Sequence, residues 1–287
     1  MRVIEAIELG RRVLPKTPGI PDPRREARWL LAHAWTVEET RLVSNPHEHV
    51  PEGVLARYRL WLERRAQGEP AHYLTGTCPF WGRRFTVSPD VLIPRPETEL
   101  AVEAALGLDL PRHARILDVG TGTGCLAITL ALERPTWRVI ATELSGRALN
   151  MARHNAARLG ASVRFVRCDL ATAIGLSCDL ITANLPYVPA HAMAHLPLEV
   201  QHEPRLALDG GDDGLALVRR LIRDLPCLLL PGGWAIFELG EGHASIVGRL
   251  AERTGLTVVR TIRDPGGCDR ILILRRLSPG RVTDREP

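Results

Sequence analysis

The sequence has few of the features that would place it in a membrane or in an oxidising compartment. It has no hydrophobic run long enough to span a bilayer, although 45% of its 287 residues are hydrophobic. An acidic residue, Glu5, stands where the apolar core of a signal peptide would begin. None of the six cysteines forms a Cys-x-x-Cys pair. We therefore expect a cytoplasmic protein with mostly buried free thiols, no metal site and no membrane contact.

Lysine is almost absent from this chain. Lys16 is the only one, so arginine carries nearly all of the positive charge, and the net charge is a modest +4. A genome rich in G and C explains this bias, and the alternative is a surface that contacts RNA or an acidic partner. A charge of this size does not by itself indicate a nucleic-acid binder, and we expect no direct contact with nucleic acid.

A lysine is also missing from the glycine-rich loop at residues 120–124, which follows an apolar run containing Asp118. A P-loop requires Gly-Lys-Ser/Thr, and a dinucleotide fingerprint requires a third glycine one residue later, where Cys125 stands. Asp118 would repel a pyrophosphate but attract a cationic amino acid group, such as that of S-adenosylmethionine. The predicted cofactor contacts in this segment are Asp118, Gly120, Thr121, Gly122, Thr123 and Gly124.

Polar residues also end the next three predicted strands. Glu143 suits two ribose hydroxyls, a feature that NAD enzymes share. Asp169 could accept a hydrogen bond from an adenine amino group while Leu170 packs on the ring, and Asn184 ends the fourth strand. Taken singly, each acid could be a helix cap. Because open α/β sheets bind ligands at the carboxyl ends of their strands, the set predicts one cofactor site there.

The tetrapeptide Asn184-Leu185-Pro186-Tyr187 is suited to binding a planar NH2 group. The Asn184 side-chain oxygen and the Leu185 carbonyl can accept hydrogen bonds from its two hydrogens. Pro186 fixes φ and stiffens the turn, and Tyr187 offers a flat face to a conjugated group. We predict that these four residues are catalytic and that the acceptor is an amide or an amine.

These motifs together resemble S-adenosylmethionine-dependent methyltransferases that act on an amide or exocyclic nitrogen. Further segments narrow the match, and they are similar to the peptide chain release factor glutamine N5-methyltransferases. Those segments are residues 68–76, 80–82 together with Phe85, 91–99, 203–208, 210–214 and 230–233. One departure is that the family usually has Pro where this chain has Leu185.

The resemblance implies that S-adenosyl-L-methionine methylates the glutamine N5 in the Gly-Gly-Gln motif of release factors, leaving S-adenosyl-L-homocysteine. Arg95 and Glu97 are weaker candidates for substrate binding, and a salt bridge at a helix N-terminus explains Glu97 equally well. We expect a monomer. Two alternatives stay open. One is a DNA adenine-N6 or rRNA guanine-N2 methyltransferase that uses the same Asn-x-Pro-Tyr tetrapeptide, and the other is a non-catalytic S-adenosylmethionine-binding assembly factor.

The predicted fold is α/β, a doubly wound, Rossmann-like, seven-stranded methyltransferase sheet with a small N-terminal helical domain. Phe80, Trp81 and Phe85 either pack in a hairpin core or form a docking surface. The expected boundaries are a helical substrate-recognition domain at residues 1–70, a hairpin linker at 71–95, the S-adenosylmethionine-dependent methyltransferase domain at 96–277 and a disordered tail at 278–287.

Overall fold

The computed structural model describes residues 1–16 and 19–278. These residues divide into two compact units. The first consists of Met1–Thr77 together with a later segment, His195–Glu203, and the second consists of Cys78–Ala194 and the chain from Pro204 onward. All but the first residue of the predicted tail lies outside the described residues.

Along the chain, a helical stretch is followed by a short hairpin and then by an alternating α/β region. The helices are α1 (Val3–Val13), α2 (Pro23–Trp35), α3 (Glu39–Ser44), α4 (Glu52–Ala66), α5 (Ala71–Thr75), α6 (Glu99–Leu106), α7 (Cys125–Glu133), α8 (Gly146–Leu159), α9 (Leu198–Gln201), α10 (Ala216–Leu228) and α11 (His243–Glu252). The strands are β1 (Thr77–Phe80), β2 (Arg83–Thr86), β3 (Arg115–Val119), β4 (Arg138–Glu143), β5 (Val163–Arg167), β6 (Cys178–Asn184), β7 (Leu229–Glu238), β8 (Leu256–Arg263) and β9 (Asp269–Arg276). Short 3₁₀ turns occupy Pro96–Thr98, Ala190–His195 and Arg205–Ala207.

In the first unit, the later segment is tied to the N-terminal helices by a buried arginine. Arg65 of α4 is 2% exposed, and it pairs with Glu26 at 2.8 Å and with Glu199 of α9 at 2.6 Å. Its guanidinium also donates to the Gly19 carbonyl at 3.1 Å. A buried guanidinium with several acceptors keeps its charge compensated. Residues 195–203 are therefore an integral part of the helical unit.

The second unit is built on a seven-stranded sheet with the order β5-β4-β3-β6-β7-β9-β8. The five strands from β3 to β7 run parallel, and β9 pairs antiparallel with both β7 and β8. This arrangement confirms the predicted doubly wound sheet. The order reverses between β3 and β6, so a crevice opens at the carboxyl ends of these two strands, where ligands bind in such sheets.

The aromatic residues of the hairpin lie in the core. Phe80 and Phe85 are 1% and 0% exposed, and their rings meet edge to face with centroids 5.9 Å apart. The Trp81 indole N–H donates to Glu133 of α7 at 3.2 Å. Core packing is therefore the correct interpretation for Phe80 and Phe85, and the hairpin is anchored on the face of the sheet that α7 covers.

Strand β7 begins at Leu229, so the Pro-Gly-Gly sequence at residues 231–233 lies inside the strand. The pairing of β6 with β7 is irregular between Cys178 and Leu180, which accommodates that sequence. Three of the cysteines are buried and two are intermediate, and Cys227 is exposed because it lies on the face of α10 opposite Val218 and Leu225.

Two other features are absent from the described residues. No helix among them is long and apolar enough to cross a membrane. Within residues 1–16 and 19–278, no three His, Cys, Asp or Glu side chains are grouped as metal ligands.

A buried asparagine joins the hairpin to the glycine-rich loop. Asn155 of α8 is fully buried, and its Oδ1 accepts a hydrogen bond from the Thr86 N–H at 2.8 Å. Its Nδ2 donates to the carbonyls of Thr86 and Thr123, each at 3.0 Å. One side chain therefore satisfies three buried backbone groups, which fixes the start of α7 and, with it, the loop of the predicted cofactor site.

We predict that Asn155→Ala lowers the free energy of unfolding by about 2–4 kcal/mol, because it leaves those three backbone groups without partners. Urea denaturation followed by circular dichroism measures the change. Asn150→Ala is the matched control, since Asn150 is an exposed asparagine on the same helix and should shift stability by less than about 0.5 kcal/mol. Equal unfolding midpoints for the two variants would contradict this role of Asn155.

A candidate active site at the carboxyl ends of the strands

A single pocket of the second unit contains most of the predicted site residues. It opens at the carboxyl ends of β3, β4 and β6, next to the reversal of strand order. The predicted residues that line it are Arg95, Asp118, Gly120, Thr121, Gly122, Thr123, Glu143, Asp169, Leu170, Asn184, Leu185 and Pro186. Gly124, Tyr187 and Glu97 are not part of this lining.

Asp118 is a buried carboxylate at the bottom of the pocket. It is 2% exposed, and its Oδ1 accepts a 2.8 Å hydrogen bond from the Thr182 hydroxyl of the neighbouring strand. Its Oδ2 is buried without a hydrogen-bond partner of ordinary geometry among the described residues, although the Thr121 hydroxyl lies nearby. Burial raises the pKa of Asp118 to about 6, and hydrogen bonding from Thr121 and Thr182 opposes the rise. An ionised, partly unsatisfied carboxylate here suits a cationic ligand group.

The glycine-rich loop bends tightly against β4. The N–H groups of Gly120 and Thr121 both donate to the Thr142 carbonyl, at 2.9 and 3.0 Å. Gly120 and Gly122 have φ angles of 74° and 55°, in the left-handed region that favours glycine. A Cβ on Gly122 would meet no atom within 4 Å, so its backbone faces open space in the pocket. Loop geometry therefore leaves main-chain groups accessible to a ligand.

Gly124 has a different structural role. It precedes α7 with a φ of 82°, and a Cβ there would lie 2.7 Å from Ile128 Cδ1 and 3.2 Å from Ala152 Cβ. The glycine thus permits α7 and α8 to pack closely. Its predicted contact with the cofactor stays a prediction, and the structure supplies a packing reason for the glycine.

The acids after β4 and β5 occupy different environments. Glu143 accepts hydrogen bonds from the N–H groups of Gly122 and Ser145, both at 2.9 Å, so its carboxylate is held in place with lone pairs still available. Asp169 is about half exposed and pairs with Arg220 of α10 at 2.6 Å. Leu170, beside it, adopts a φ of 48°, which is unusual for a leucine and turns the chain sharply at the pocket wall.

The turn after β6 is held in place by a second glycine-rich segment. This segment is residues 208–214, and Val188 exchanges two backbone hydrogen bonds with it. The Val188 N–H donates to the Leu208 carbonyl, and the Val188 carbonyl accepts from the Gly210 N–H, each at 2.9 Å. A Cβ on Gly210 would come within 2.7 Å of the Pro186 carbonyl oxygen, and one on Gly214 would clash with the Tyr187 carbonyl. These glycines are therefore required for the close approach that fixes the tetrapeptide.

Asn184 belongs to a buried chain of hydrogen bonds. Its Nδ2 donates to the Thr98 hydroxyl oxygen at 3.3 Å, and the Thr98 hydroxyl donates to Glu238 Oε2 at 2.6 Å. Thr98 and Glu238 are 3% and 2% exposed. Because Nδ2 is engaged with Thr98, Oδ1 of the carboxamide lies on its other side, and Asn184 lines the pocket.

Tyr187 is partly buried among charged groups. Burial raises the pKa of its hydroxyl, the Glu238 charge adds to the rise, and Arg270 and Arg95 oppose it. The phenol is therefore neutral in the neutral pH range. A Cβ on Gly240 would lie 3.0 Å from Tyr187 Cδ2, so this glycine gives the ring its room.

Four residues in or next to the site were not predicted from the sequence: Thr98, Thr182, Glu238 and Asn155. Glu238 carried a detectable signal, since it is an acid that ends an apolar parallel strand, as Glu143 does. Thr182 also had one, because the register of two adjacent parallel strands places it beside Asp118. Asn155 and Thr98 had none, as their contacts depend on how a helix and a 3₁₀ turn pack.

Comparisons with known proteins agree with this geometry. Residues 5–76 match the family described as PrmC N-terminal domain, and residues 102–203 match the methyltransferase small domain. A release factor glutamine methyltransferase from Cereibacter sphaeroides is 41% identical over 96% of this chain and 99% of its own. Another, from Geobacter sulfurreducens, is 41% identical over 88% of this chain and 90% of its own.

A solved structure shows the same fold at low sequence identity. The crystal structure of a methyltransferase from Pyrococcus furiosus superposes with a TM-score of 0.54 and 20% identity, covering 69% of this chain and 91% of that one. The curated relatives, by contrast, match nearly the whole length of this chain, including both of its units. They confirm the resemblance carried by the motifs, and the chain belongs to the release factor glutamine methyltransferase family.

Proposed function

We propose that this protein transfers a methyl group from S-adenosyl-L-methionine to the side-chain amide nitrogen, N5, of the glutamine in the Gly-Gly-Gln motif of release factors. The observation that carries the proposal is the held carboxamide of Asn184, whose Nδ2 is bound to Thr98 at 3.3 Å at the wall of the pocket. The relatives named for this activity are 41% identical over nearly the whole chain, so nucleic-acid methylation and a non-catalytic role are not favoured.

The pocket residues fit this cofactor. The unsatisfied Oδ2 of Asp118 suits its ammonium group, and the open backbone at Gly122 allows close approach of the ligand. Glu143, fixed by two backbone N–H groups, suits the ribose hydroxyls, and Asp169 with Leu170 suits the adenine. When bound, S-adenosylmethionine supplies an electrophilic methyl group on a sulfonium. The protein supplies binding, orientation and exclusion of water.

The chain's own residues solve the problem that an amide nitrogen is a poor nucleophile. Its lone pair is delocalised into the carbonyl, so the enzyme must favour a geometry in which that lone pair is localised. Asn184 Oδ1 and the Leu185 carbonyl each accept one N–H of the glutamine amide. Two acceptors at fixed positions orient both hydrogens, and the nitrogen lone pair then points away from them toward the electrophile.

Tyr187 contributes a flat surface and not a base. Its raised pKa keeps the hydroxyl protonated, so the phenol takes no proton in the neutral range. Stacking on the amide plane stabilises positive charge that develops on the nitrogen, a contribution of about 1 kcal/mol. The alkylated nitrogen is acidic, so water removes its proton after transfer. We place Arg95 at the substrate side of the pocket, with Glu97 nearby.

The remaining assignments concern organisation. We propose that residues 1–70 recognise the protein substrate, that residues 71–95 link the domains and that residues 96–277 carry the methyltransferase activity. We also propose that the enzyme is a monomer and that it acts in the cytoplasm. The absence of any Cys-x-x-Cys pair and the exposed free thiol of Cys227 fit a reducing compartment.

Removal of the side-chain acceptor tests the proposed function. We predict that Asn184→Ala lowers kcat/KM for release factor methylation about 5- to 150-fold, because a desolvated N–H left unpaired costs roughly 1–3 kcal/mol. The assay follows methyl-labelled S-adenosylmethionine with an intact release factor and with a copy whose Gly-Gly-Gln glutamine is changed to alanine.

Duplex DNA and ribosomal RNA serve as competing acceptors in the same assay. Asn150→Ala controls for the loss of an asparagine elsewhere, since Asn150 is exposed on α8. Label on the intact factor alone supports the proposal. Label on nucleic acid, or equal label on the glutamine-to-alanine factor, would refute it.

A second prediction concerns the buried acid of the cofactor pocket. Burial raises the pKa of Asp118 to about 6, so the carboxyl is neutral below that pH and ionised above it. We therefore expect S-adenosylmethionine to bind more tightly as pH rises from 5 to 7, as measured by calorimetry. Asp118→Asn should weaken binding roughly 10- to 100-fold at pH 7.5 and remove the pH dependence. A wild-type affinity that does not change over this range would contradict the assignment.

A further inference from the structure

Glu238 is a buried carboxylate that the mechanism above does not use. It ends β7, is 2% exposed, and lies directly opposite Asn184 in the parallel pairing of β6 with β7. Burying an acid without an ion pair is costly, so a group placed this way is a candidate for function. Its Oε2 is bound by the Thr98 hydroxyl at 2.6 Å.

The Thr98 hydroxyl transmits the state of Glu238 to Asn184. A hydroxyl has one hydrogen, and an ionised carboxylate can only accept. When Thr98 gives its hydrogen to Glu238, its oxygen can only accept from Asn184, so the carboxamide must turn Nδ2 toward it, as observed at 3.3 Å. The polarity of the whole chain is thus set at the carboxylate end.

We propose that ionised Glu238, acting through Thr98, is a positioning residue that fixes the orientation of the Asn184 carboxamide so that its oxygen faces the acceptor amide. This inference rests on the proposed function, because it needs the acceptor to be an NH2 group. The two orientations of an asparagine amide have nearly the same shape and differ only in their hydrogen bonds. Without a polarity set from behind, Asn184 would also present its own NH2 group to the substrate, and two donors cannot bond.

Protonation of Glu238 removes the constraint. A neutral carboxyl can itself donate to Thr98, which frees the Thr98 hydrogen to point at Asn184 and favours the rotated carboxamide. Burial raises the pKa of Glu238 to about 7, while the hydrogen bond from Thr98 and the charge of Arg270 oppose the rise. The oxygen-forward orientation is therefore maintained above pH 7 and lost below it.

Other titratable groups also face this carboxylate from the elements packed around it. They are Glu97 on the 3₁₀ turn, Tyr187 after β6, Arg270 on β9 and Cys125 at the start of α7. The Arg270 guanidinium is engaged elsewhere, since it bonds Asp264 at 3.0 Å and the Leu239 carbonyl at 3.0 Å. Burial raises the pKa values of Tyr187 and Cys125, the latter to about 12, so neither loses its proton near pH 7.

The first test is a pH–rate profile of single-turnover methyl transfer, with cofactor saturating so that Asp118 does not limit the rate. We expect the wild-type rate to rise about 10-fold from pH 6 to pH 8. In Glu238→Gln and Thr98→Val this rise should be absent, and the rate at pH 8 should be about 10-fold lower with KM for the release factor changed less than about 2-fold. Thr98→Ser keeps the hydroxyl and should restore both the rate and the rise.

Glu241→Gln is the matched control, because Glu241 is an exposed acid on the loop that follows β7. It removes the same charge and should leave the profile unchanged. Thermal unfolding of every variant separates a positioning defect from a folding defect. A rise that persists in both Glu238→Gln and Thr98→Val would overturn the inference, as would a Thr98→Ser enzyme that behaves like Thr98→Val.

A second readout needs no methyl transfer. The side-chain ¹⁵N–¹H resonances of Asn184, assigned by their loss in Asn184→Ala, should titrate with a midpoint near pH 7 in the wild type and stay constant in Glu238→Gln. An enzyme that methylates release factor but shows no such titration refutes the inference alone. A titrating Asn184 in a protein that transfers no methyl group to release factor refutes the proposed function alone.

Discussion

The pairing of β3 with β6 is the constraint on which the site depends. Strand order reverses at this pair, and the carboxyl ends of the two strands are adjacent. The register sets Thr182 beside Asp118, so a 2.8 Å hydrogen bond crosses the pair at the bottom of the pocket. Two residues further on, β6 ends in Asn184. Asp118 and Asn184, the proposed cofactor and acceptor contacts, therefore lie on adjacent strands, and the distance between them is set by backbone pairing.

The carboxyl ends of β3 and β7 place two carboxylates, Asp118 and Glu238, in a poorly solvated region, at a cost to stability. Burial raises the pKa of Asp118 from 3.8 to about 6 and that of Glu238 from 4.5 to about 7. Both folded-state pKa values lie above the unfolded ones. The free energy of unfolding therefore falls as pH rises from the unfolded-state pKa of each acid through its folded-state pKa. Above pH 7 each shift corresponds to roughly 3 kcal/mol of lost stability. The apolar core around the sheet offsets this cost, and the proposed roles of both acids need the ionised form.

The sequence predicted the sheet and most of the pocket because their signals are local. Apolar runs that end in Asp118, Glu143 or Asn184 predict parallel strands with polar ends, and topology then brings those ends together. What the sequence could not predict arises from packing at a distance. Thr98 reaches Asn184 and Glu238 from a 3₁₀ turn 86 and 140 residues away, and no periodicity encodes such a contact.

The residue that departs from the family pattern shows how rigidity is retained by other means. Leu185 lacks the ring by which a proline would restrict φ. Its side chain is instead held by packing, since it is only 3% exposed. Its Cδ2 lies so close to Gly120 that a Cβ there would be 2.9 Å away, so Leu185 is clamped against the cofactor loop. Pro186 fixes the next φ, and the close approach of Gly210 to its carbonyl holds the turn from the opposite side. Because any residue supplies a backbone carbonyl, Leu185 keeps the proposed acceptor while the packing of its side chain helps to hold the turn.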